Sequence, residues 1–176
     1  MKTQVQLVNL ENPITMIRTG FIAMILVLFT SMAVAQTTVV EIIVNSPDHT
    51  TLEAAVIAAE LDDDLSGEGP FTVFAPTDAA FDALPEGTVD ALLADPTGTL
   101  ADILLYHVLT ANVSSAEAKA NQGDITMANG QLAGLKYFDD SLWVNDDSRV
   151  IIENILADNG TIHVVDTVIL QPWPRD

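Results

Sequence analysis

The sequence contains no cysteine, and this absence limits how the protein is stabilised and which chemistry it performs. The chain has no disulfide bonds, no thiol nucleophile and no cysteine for lipid attachment. Its fold must be held together by its core, and a domain of roughly 140 residues buries enough apolar surface for that. An exported domain of this size without disulfides is more typical of a bacterium than of an animal extracellular module.

Basic residues are scarce: 6 Lys and Arg stand against 25 Asp and Glu, which gives a net charge of −19. Proteins that bind nucleic acid neutralise phosphates with Lys and Arg, so this class is excluded. An excess of carboxylates keeps a protein soluble and apart from its neighbours, at a cost in self-repulsion that salt relieves. The composition fits both a protein of a cation-rich exterior and an ordinary acidic secreted protein.

The apolar run at residues 21–29 is too short to span a bilayer comfortably, which takes roughly 20 apolar residues. It follows Arg18 and precedes Ala33-Val34-Ala35. A charged start, an apolar middle and a small-residue exit are the parts of a secretory signal peptide. We expect residues 1–35 to be a signal peptide cleaved after Ala35, and an uncleaved membrane anchor is the alternative.

The expected mature protein is a single exported domain over residues 36–176. Cleavage removes Lys2, Arg18 and Glu11, so 4 basic and 24 acidic residues remain and the net charge is −20. We expect this domain to be secreted, to the cell exterior, the cell surface or the periplasm, with no membrane span after cleavage.

Motifs of known catalytic and cofactor sites are absent as well. The sequence has no G-x-S-x-G and no Gly-rich phosphate loop, and His49, His107 and His163 show no metal-ligand spacing. Zinc binding and acid-base catalysis both need convergent partner side chains. We therefore predict no enzyme activity and no cofactor, and expect His107 and His163 to be partly buried, hydrogen-bonded structural residues.

The acidic run at residues 62–67 (DDDLSG) imitates the first half of a calcium loop. Such a loop needs a bidentate Glu at its twelfth position, which is Val73 here. We predict a solvated acidic helix end that binds divalent cations at most weakly and non-specifically.

Helical signals dominate the first half of the expected domain. Thr50 and Glu53 have the spacing of a capping box, which predicts a helix starting there. Thr77 is placed to cap a second helix, with Asp78 in its first turn. Residues 39–44 and 105–109 are compatible with helix or strand. The stripe expected to face the core of the first helix consists of Leu52, Ala55, Val56 and Ala59.

Strand signals dominate the second half. Residues 71–75 are β-branched and aromatic between two prolines, which predicts one short buried strand earlier in the chain. From Ile125 onward, runs of alternating polarity are separated by turn signals, and the pattern predicts antiparallel strands at residues 131–138, 142–144, 149–155 and 161–165. The Asn159-Gly160 pair predicts a hairpin turn, because both residues tolerate positive φ. The fold class is therefore α+β.

Three segments resemble the fasciclin domain family. The first is residues 71–81 (FTVFAPTDAAF), the second is 106–108 (YHV) after three aliphatic residues, and the third is 159–170 (NGTIHVVDTVIL). Their order and spacing agree with the family, and the resemblance runs from about Val39 to Leu170.

The resemblance implies a wedge-shaped β-sandwich flanked by helices, without catalysis, acting in adhesion to a cell-surface or matrix component. It implies a binding role for Tyr106 and His107, since the family's Tyr-His pair is associated with adhesion. Animal members carry an Asp-Ile pair linked to integrin binding where this chain has Asn154-Ile155, so that partner is not implied. The alternative function is an extracellular carrier or sensor that binds a small apolar ligand or a polysaccharide between helices and sheet.

Overall fold

The computed structural model describes residues 37–170, in which seven short helices accompany seven strands. The predicted signal peptide and its cleavage after Ala35 lie outside the described residues. The helices are α1 (Val39–Val44), α2 (Thr50–Ala58), α3 (Asp62–Leu65), α4 (Asp78–Asp82), α5 (Thr88–Leu93), α6 (Ala101–Leu105) and α7 (Ser115–Ala120), with a π-helical turn over Pro96–Leu100. The strands are β1 (Phe71–Pro76), β2 (Val108–Leu109), β3 (Gly123–Thr126), β4 (Leu132–Phe138), β5 (Ser141–Val144), β6 (Ser148–Ala157) and β7 (Gly160–Val165).

The two segments that local pattern left open are now assigned. Residues 39–44 form α1, because the Thr38 hydroxyl accepts a hydrogen bond from the backbone N–H of Glu41 and caps the helix. In the second segment α6 ends at Leu105 and the short strand β2 begins at Val108. The predicted Thr77 cap is confirmed, since its hydroxyl accepts from the Ala80 N–H at 3.3 Å.

The seven strands form one sheet in the order β2-β1-β7-β6-β5-β4-β3. The predicted antiparallel pairing of the C-terminal strands is confirmed, and β7 also pairs in parallel with β1. Strand β6 pairs with two neighbours along its length: Ser148 and Arg149 pair with β5, and residues from Val150 onward pair with β7 in an interrupted register. Strand β6 therefore links β3, β4 and β5 to the half of the sheet that contains β1, β2 and β7.

Strands β1 and β7 are buried on both faces. On one face Val73 and Ile162 pack against α1, α2, α4 and α6. On the other face Phe74 and Val165 pack against β3, β4 and β5. The α+β fold class is confirmed: helices cover one face of β1 and β7, and strands β3, β4 and β5 cover the other face.

The predicted capping box at α2 is wrong. The N-cap residue is His49, which makes no side-chain capping bond. The Asp78 carboxylate, at the start of α4, instead accepts hydrogen bonds from the backbone N–H groups of Thr51 at 2.7 Å and Thr50 at 3.2 Å. The Thr50 hydroxyl also donates to Asp78 at 2.8 Å. A side chain 28 residues away thus satisfies the exposed amides at the helix start.

The predicted β6–β7 hairpin is confirmed, and its turn lies one residue before the Asn159-Gly160 pair. Ala157 pairs with Gly160, so Asp158 and Asn159 make the turn, and neither has a positive φ. Gly160 is needed for another reason: a Cβ atom there would lie 2.2 Å from the carbonyl oxygen of Phe71. The glycine allows β1 to approach β7 closely.

The acidic run that imitates a calcium loop is not a loop in the structure. Asp62–Leu65 is the short helix α3, and Val73 is buried in β1 at 4 % exposure. Its carboxylates end a helix before the chain turns toward β1. Among residues 37–170, no helix combines the length and hydrophobicity needed to cross a bilayer.

Candidate functional site

Tyr106 follows directly after α6 and is fully buried, at 0 % exposure. Its hydroxyl donates a hydrogen bond to the Leu132 carbonyl at 2.8 Å and accepts one from the Asn145 side chain at 2.8 Å. Asn145 lies in the β5–β6 turn with a φ of 55°. Tyr106 therefore connects α6 to the start of β4 and to this turn.

His107 is also buried, at 2 % exposure. Its Nε2 accepts a hydrogen bond from the Ile169 N–H at 2.9 Å, so its Nδ1 carries the proton and donates to the Ile103 carbonyl at 2.8 Å. Burial lowers the pKa of His107 to about 4. The neutral ring thus joins α6 to the C-terminal segment of the domain.

The side chains of Tyr106 and His107 do not reach the surface of the domain in this conformation. A partner would therefore contact the segments that these two side chains hold in place, and not the side chains themselves. The binding role of Tyr106 and His107 stays a prediction, and any such role would be indirect. The expectation that His107 is hydrogen bonded inside the domain is confirmed, and the ring is fully buried where partial burial was expected.

His163 lies in the middle of β7 and is hydrogen bonded through both ring nitrogens. Nδ1 accepts from the Asn154 N–H at 3.3 Å, so Nε2 carries the proton and donates to the Val113 carbonyl at 2.9 Å. The ring stacks on Phe74 with 5.6 Å between centroids. Burial lowers the pKa of His163, which is the expected behaviour of a buried structural histidine.

Asn154 adopts a φ of 60° in an irregular part of β6. Its Oδ1 accepts from the Ser115 N–H at 2.9 Å, and its Nδ2 donates to the Ser115 hydroxyl at 2.6 Å. The Asn154 side-chain amide therefore links β6 to the start of α7 through two hydrogen bonds. An aspartate would lose the second of these bonds, because a carboxylate has no donor.

Three large aliphatic side chains of β6 face solvent. Ile151, Ile152 and Leu156 are 48 %, 52 % and 74 % exposed, and we call them the β6 strip. The sequence prediction placed a strand here without recognising its exposure. The sequence did carry a signal of this exposure. Val150, Ile151 and Ile152 are consecutive, and successive residues of a strand face opposite sides, so all three cannot enter one core.

A fasciclin domain model matches residues 47–171, which is most of the chain. The chain belongs to the fasciclin domain family. It is 43 % identical over 136 residues to protein sll1483 of Synechocystis sp., covering 77 % of this chain and 74 % of that protein. It is 34 % identical over 133 residues to the cell surface glycolipoprotein MPB83 of Mycobacterium bovis, covering 73 % of this chain and 58 % of that protein.

The fold of this fasciclin domain is similar to that of a FAS1 domain pair from the insect cell adhesion molecule Fasciclin I. The TM-score is 0.68 at 17 % sequence identity, covering 77 % of this chain and 51 % of that structure. The likeness shows the fold, and the chain spans about half of that structure. The predicted family and fold type are both confirmed.

Among the described residues, the concave regions outside the histidine sites include a polar cleft and an apolar gap. One, of about 340 Å³, lies beside the β6–β7 hairpin and is lined by Glu68, Asn112, Asp158 and Asn159 together with small residues. The other, of about 40 Å³, is an apolar gap between helices next to Phe81. Among residues 37–170, no group of three or more His, Asp or Glu side chains is arranged to hold a metal ion.

Proposed function

We propose that this fasciclin domain is an exported, non-enzymatic adhesion module that contacts a cell-surface or matrix component through the β6 strip. The observation that carries the proposal is the exposure of three large aliphatic residues on one strand. Burying apolar surface stabilises a complex by roughly 25 cal/mol per Å², so exposed aliphatic side chains of this size favour association with a partner.

The charge of the domain favours selective association over general stickiness. A net charge of −19 for the chain repels other anionic surfaces at low ionic strength. A partner for the β6 strip would therefore combine an apolar contact area with positive charge or bound cations. The relatives named above as a cell surface protein and a cell adhesion molecule support the same class of function.

The hydrogen bonding of His107 and His163 supports a non-enzymatic role. Both ring nitrogens of His107 and of His163 are engaged in hydrogen bonds inside the domain. A general base must reach a substrate proton, and neither ring has a free nitrogen or an exposed face for that. The proposal therefore assigns these residues to stability.

Attachment of the producing cells to surfaces coated with the mature protein tests the proposal. The test variant carries Ile152→Ser and Leu156→Ser, and a matched control carries Leu132→Ser and Phe138→Ser. The control residues have nearly the same exposure, at 53 % and 72 % against 52 % and 74 %. Losing two apolar contacts of about 1 kcal/mol each predicts an attachment reduced by at least about tenfold in the test variant alone. Equal attachment by both variants would remove the β6 strip from the proposal.

Export itself is a second element of this proposal. We propose that residues 1–35 are removed, so that the protein recovered outside the cytoplasm begins at Gln36. Intact mass measurement of that protein distinguishes cleavage after Ala35 from an uncleaved anchor.

The carrier alternative is supported for one class of ligand only. The apolar gap of about 40 Å³ is far smaller than the roughly 300–1,000 Å³ of small-molecule sites. The polar cleft of about 340 Å³ reaches that range, and its amide and carboxylate groups suit the hydroxyl groups of a polysaccharide. Titration of the protein with polysaccharide from the producing organism, with Asn112→Ala as the cleft variant, would reveal this second function.

A further inference from the structure

The β6 strip is interrupted by an irregularity that sets the direction of its side chains. The pairing register between β6 and β7 shifts between Ile152 and Ile155, and Asn154 adopts a left-handed φ of 60° between them. A bulge of this kind redirects the flanking side chains of a strand. The relative positions of Ile152 and Leu156, which lie on either side, therefore depend on the conformation of Asn154.

The bulge is fixed by hydrogen bonds on its solvent-facing side and on its core-facing side. On the outside, the Asn154 amide group exchanges two hydrogen bonds with Ser115. On the inside, the Asn154 backbone N–H donates to Nδ1 of the buried His163 ring at 3.3 Å. The inner bond requires an unprotonated Nδ1, and the single N–H proton of the neutral ring lies on Nε2, where it is donated to the Val113 carbonyl.

We propose that His163 is a positioning residue for the β6 strip, and that protonation of its ring releases the bulge and weakens partner binding before the domain unfolds. The inference rests on the proposed function of the strip. Protonation would place an N–H at Nδ1 directly opposite the N–H of Asn154, so two donors would face each other where a donor and an acceptor now meet. The bulge is the element that gives way, since it lies at the surface and β7 lies between two strands.

The groups around the His163 ring set the pH range in which the bulge is released. Phe74 of β1 and the Val113 carbonyl before α7 face the ring without a charge, and Glu153 of β6 is the charged neighbour. Burial lowers the pKa of His163, and the charge of Glu153 raises it in part. The bulge is therefore held at neutral pH and released on the acidic side of 6.5.

Hydrogen exchange of individual backbone amides by NMR tests the inference without a partner. The protection factor of the Asn154 amide, measured from pH 7.5 downward together with the His163 ring resonances, is expected to fall at least tenfold as His163 titrates. The amides of Ile162 and Val164 on β7 are expected to keep their protection over the same range. Constant protection at Asn154, or simultaneous loss at all three residues, would overturn the inference.

Two variants separate positioning from simple packing. His163→Gln retains a hydrogen-bonding side chain that does not titrate, so the pH response of the Asn154 amide is expected to disappear. If that variant fails to fold, Ser115→Ala serves: it weakens the outer link, so Asn154 protection is expected to be lower at neutral pH while the midpoint of its pH response stays unchanged. A changed midpoint in Ser115→Ala, or a persistent response in folded His163→Gln, would exclude His163 as the cause.

Cell attachment measured with the same proteins keeps this inference distinct from the proposed function. If the strip variant of Ile152 and Leu156 attaches normally, the proposed function is wrong, and the exchange data still decide whether His163 controls the bulge. If the strip is required and attachment shows no acid dependence while the bulge opens, the link between bulge and binding is wrong.

Discussion

Asn159 and Val39 are joined across 120 residues of sequence: the Asn159 side-chain oxygen accepts a hydrogen bond from the Val39 N–H at 2.9 Å. The same amide group donates to the carbonyl oxygens of Leu65 at 2.8 Å and Gly67 at 3.0 Å. One side chain in the β6–β7 turn thus connects the sheet to the start of α1 and to the end of α3.

The first prediction concerns this link. Asn159→Asp keeps an acceptor for Val39, removes both donors and sets a negative oxygen against two carbonyls, so we expect a loss of about 2 kcal/mol in the free energy of unfolding. The control is Asn121→Asp, which adds the same charge at an exposed site with a single 3.2 Å bond to Glu117. Urea unfolding at pH 7 measures both, and a loss as large in the control would show that charge, and not the link, is responsible.

The second prediction concerns the close approach of β1 and β7. In Gly160→Ala the new Cβ would lie 2.2 Å from the Phe71 carbonyl, and two paired backbones must move apart, so we expect a cost of more than about 2 kcal/mol. Gly87→Ala is the comparison, because Gly87 has a φ of 82° and open space around it. It is expected to cost only about 1 kcal/mol for its backbone conformation. The reverse order in urea midpoints would contradict this explanation.

The third prediction concerns the cap that Asp78 gives to α2. Asp78→Ala leaves the Thr50 and Thr51 amides without this partner, and we expect a loss of about 1–2 kcal/mol. Asp82→Ala, on the same helix and exposed, is expected to cost less than about 0.5 kcal/mol. Partial burial raises the pKa of Asp78, but the bonds from Thr51 and Thr50 outweigh it and lower the pKa overall. The difference between the variants should therefore persist at neutral pH and diminish only below pH 3.8.

The fourth prediction concerns the pH dependence of stability. Burial lowers the pKa of His107 from 6.5 to about 4, so the unfolded chain binds the proton first as pH falls. The contribution of His107 is complete above about pH 6.5 and is lost progressively toward pH 4, by up to about 3 kcal/mol. His107→Gln removes this titration, so the unfolding free energy of the variant should change less steeply with pH between pH 6 and 4.5 than that of the parent. The two slopes should differ by about 1.4 kcal/mol per pH unit.

Tyr106→Phe is the control for that measurement. It removes two hydrogen bonds at an equally buried neighbour and leaves His107 in place, so stability should fall while its pH slope stays that of the parent. Equal slopes for parent and His107→Gln would show that another group governs the acid sensitivity.

The conclusions that could be reached from sequence are those that depend on local pattern. The apolar stripe of α2, the strand at Phe71–Pro76, the Thr77 cap and the alternating C-terminal strands each follow from side chains within one turn or one strand. The three segments that identified the family were also contiguous. For these features the interacting residues are neighbours in the chain, and spacing alone reveals them.

The expectations that were wrong involve residues that meet only in the folded chain. Thr50 and Glu53 had the spacing of a capping box, yet Asp78 supplies the cap because α4 packs beside α2. The Asn159-Gly160 pair placed the hairpin turn one residue late, because Asp158 and Asn159 make the turn and Gly160 lies in β7 where Phe71 approaches it. In each case a distant segment provided a stronger interaction than the local one.

By itself the sequence determined the α+β class, the acidic character and the absence of disulfides, because composition and short-range periodicity carry that information, and three contiguous segments carried the resemblance to the family. Only the tertiary structure decided that Tyr106 and His107 are buried, that Ile151, Ile152 and Leu156 are exposed, and that His163 accepts a hydrogen bond from the Asn154 backbone N–H. The reason is physical: exposure and hydrogen-bond partners depend on which segments pack together, and an isoleucine or a histidine is the same residue on either side of a sheet.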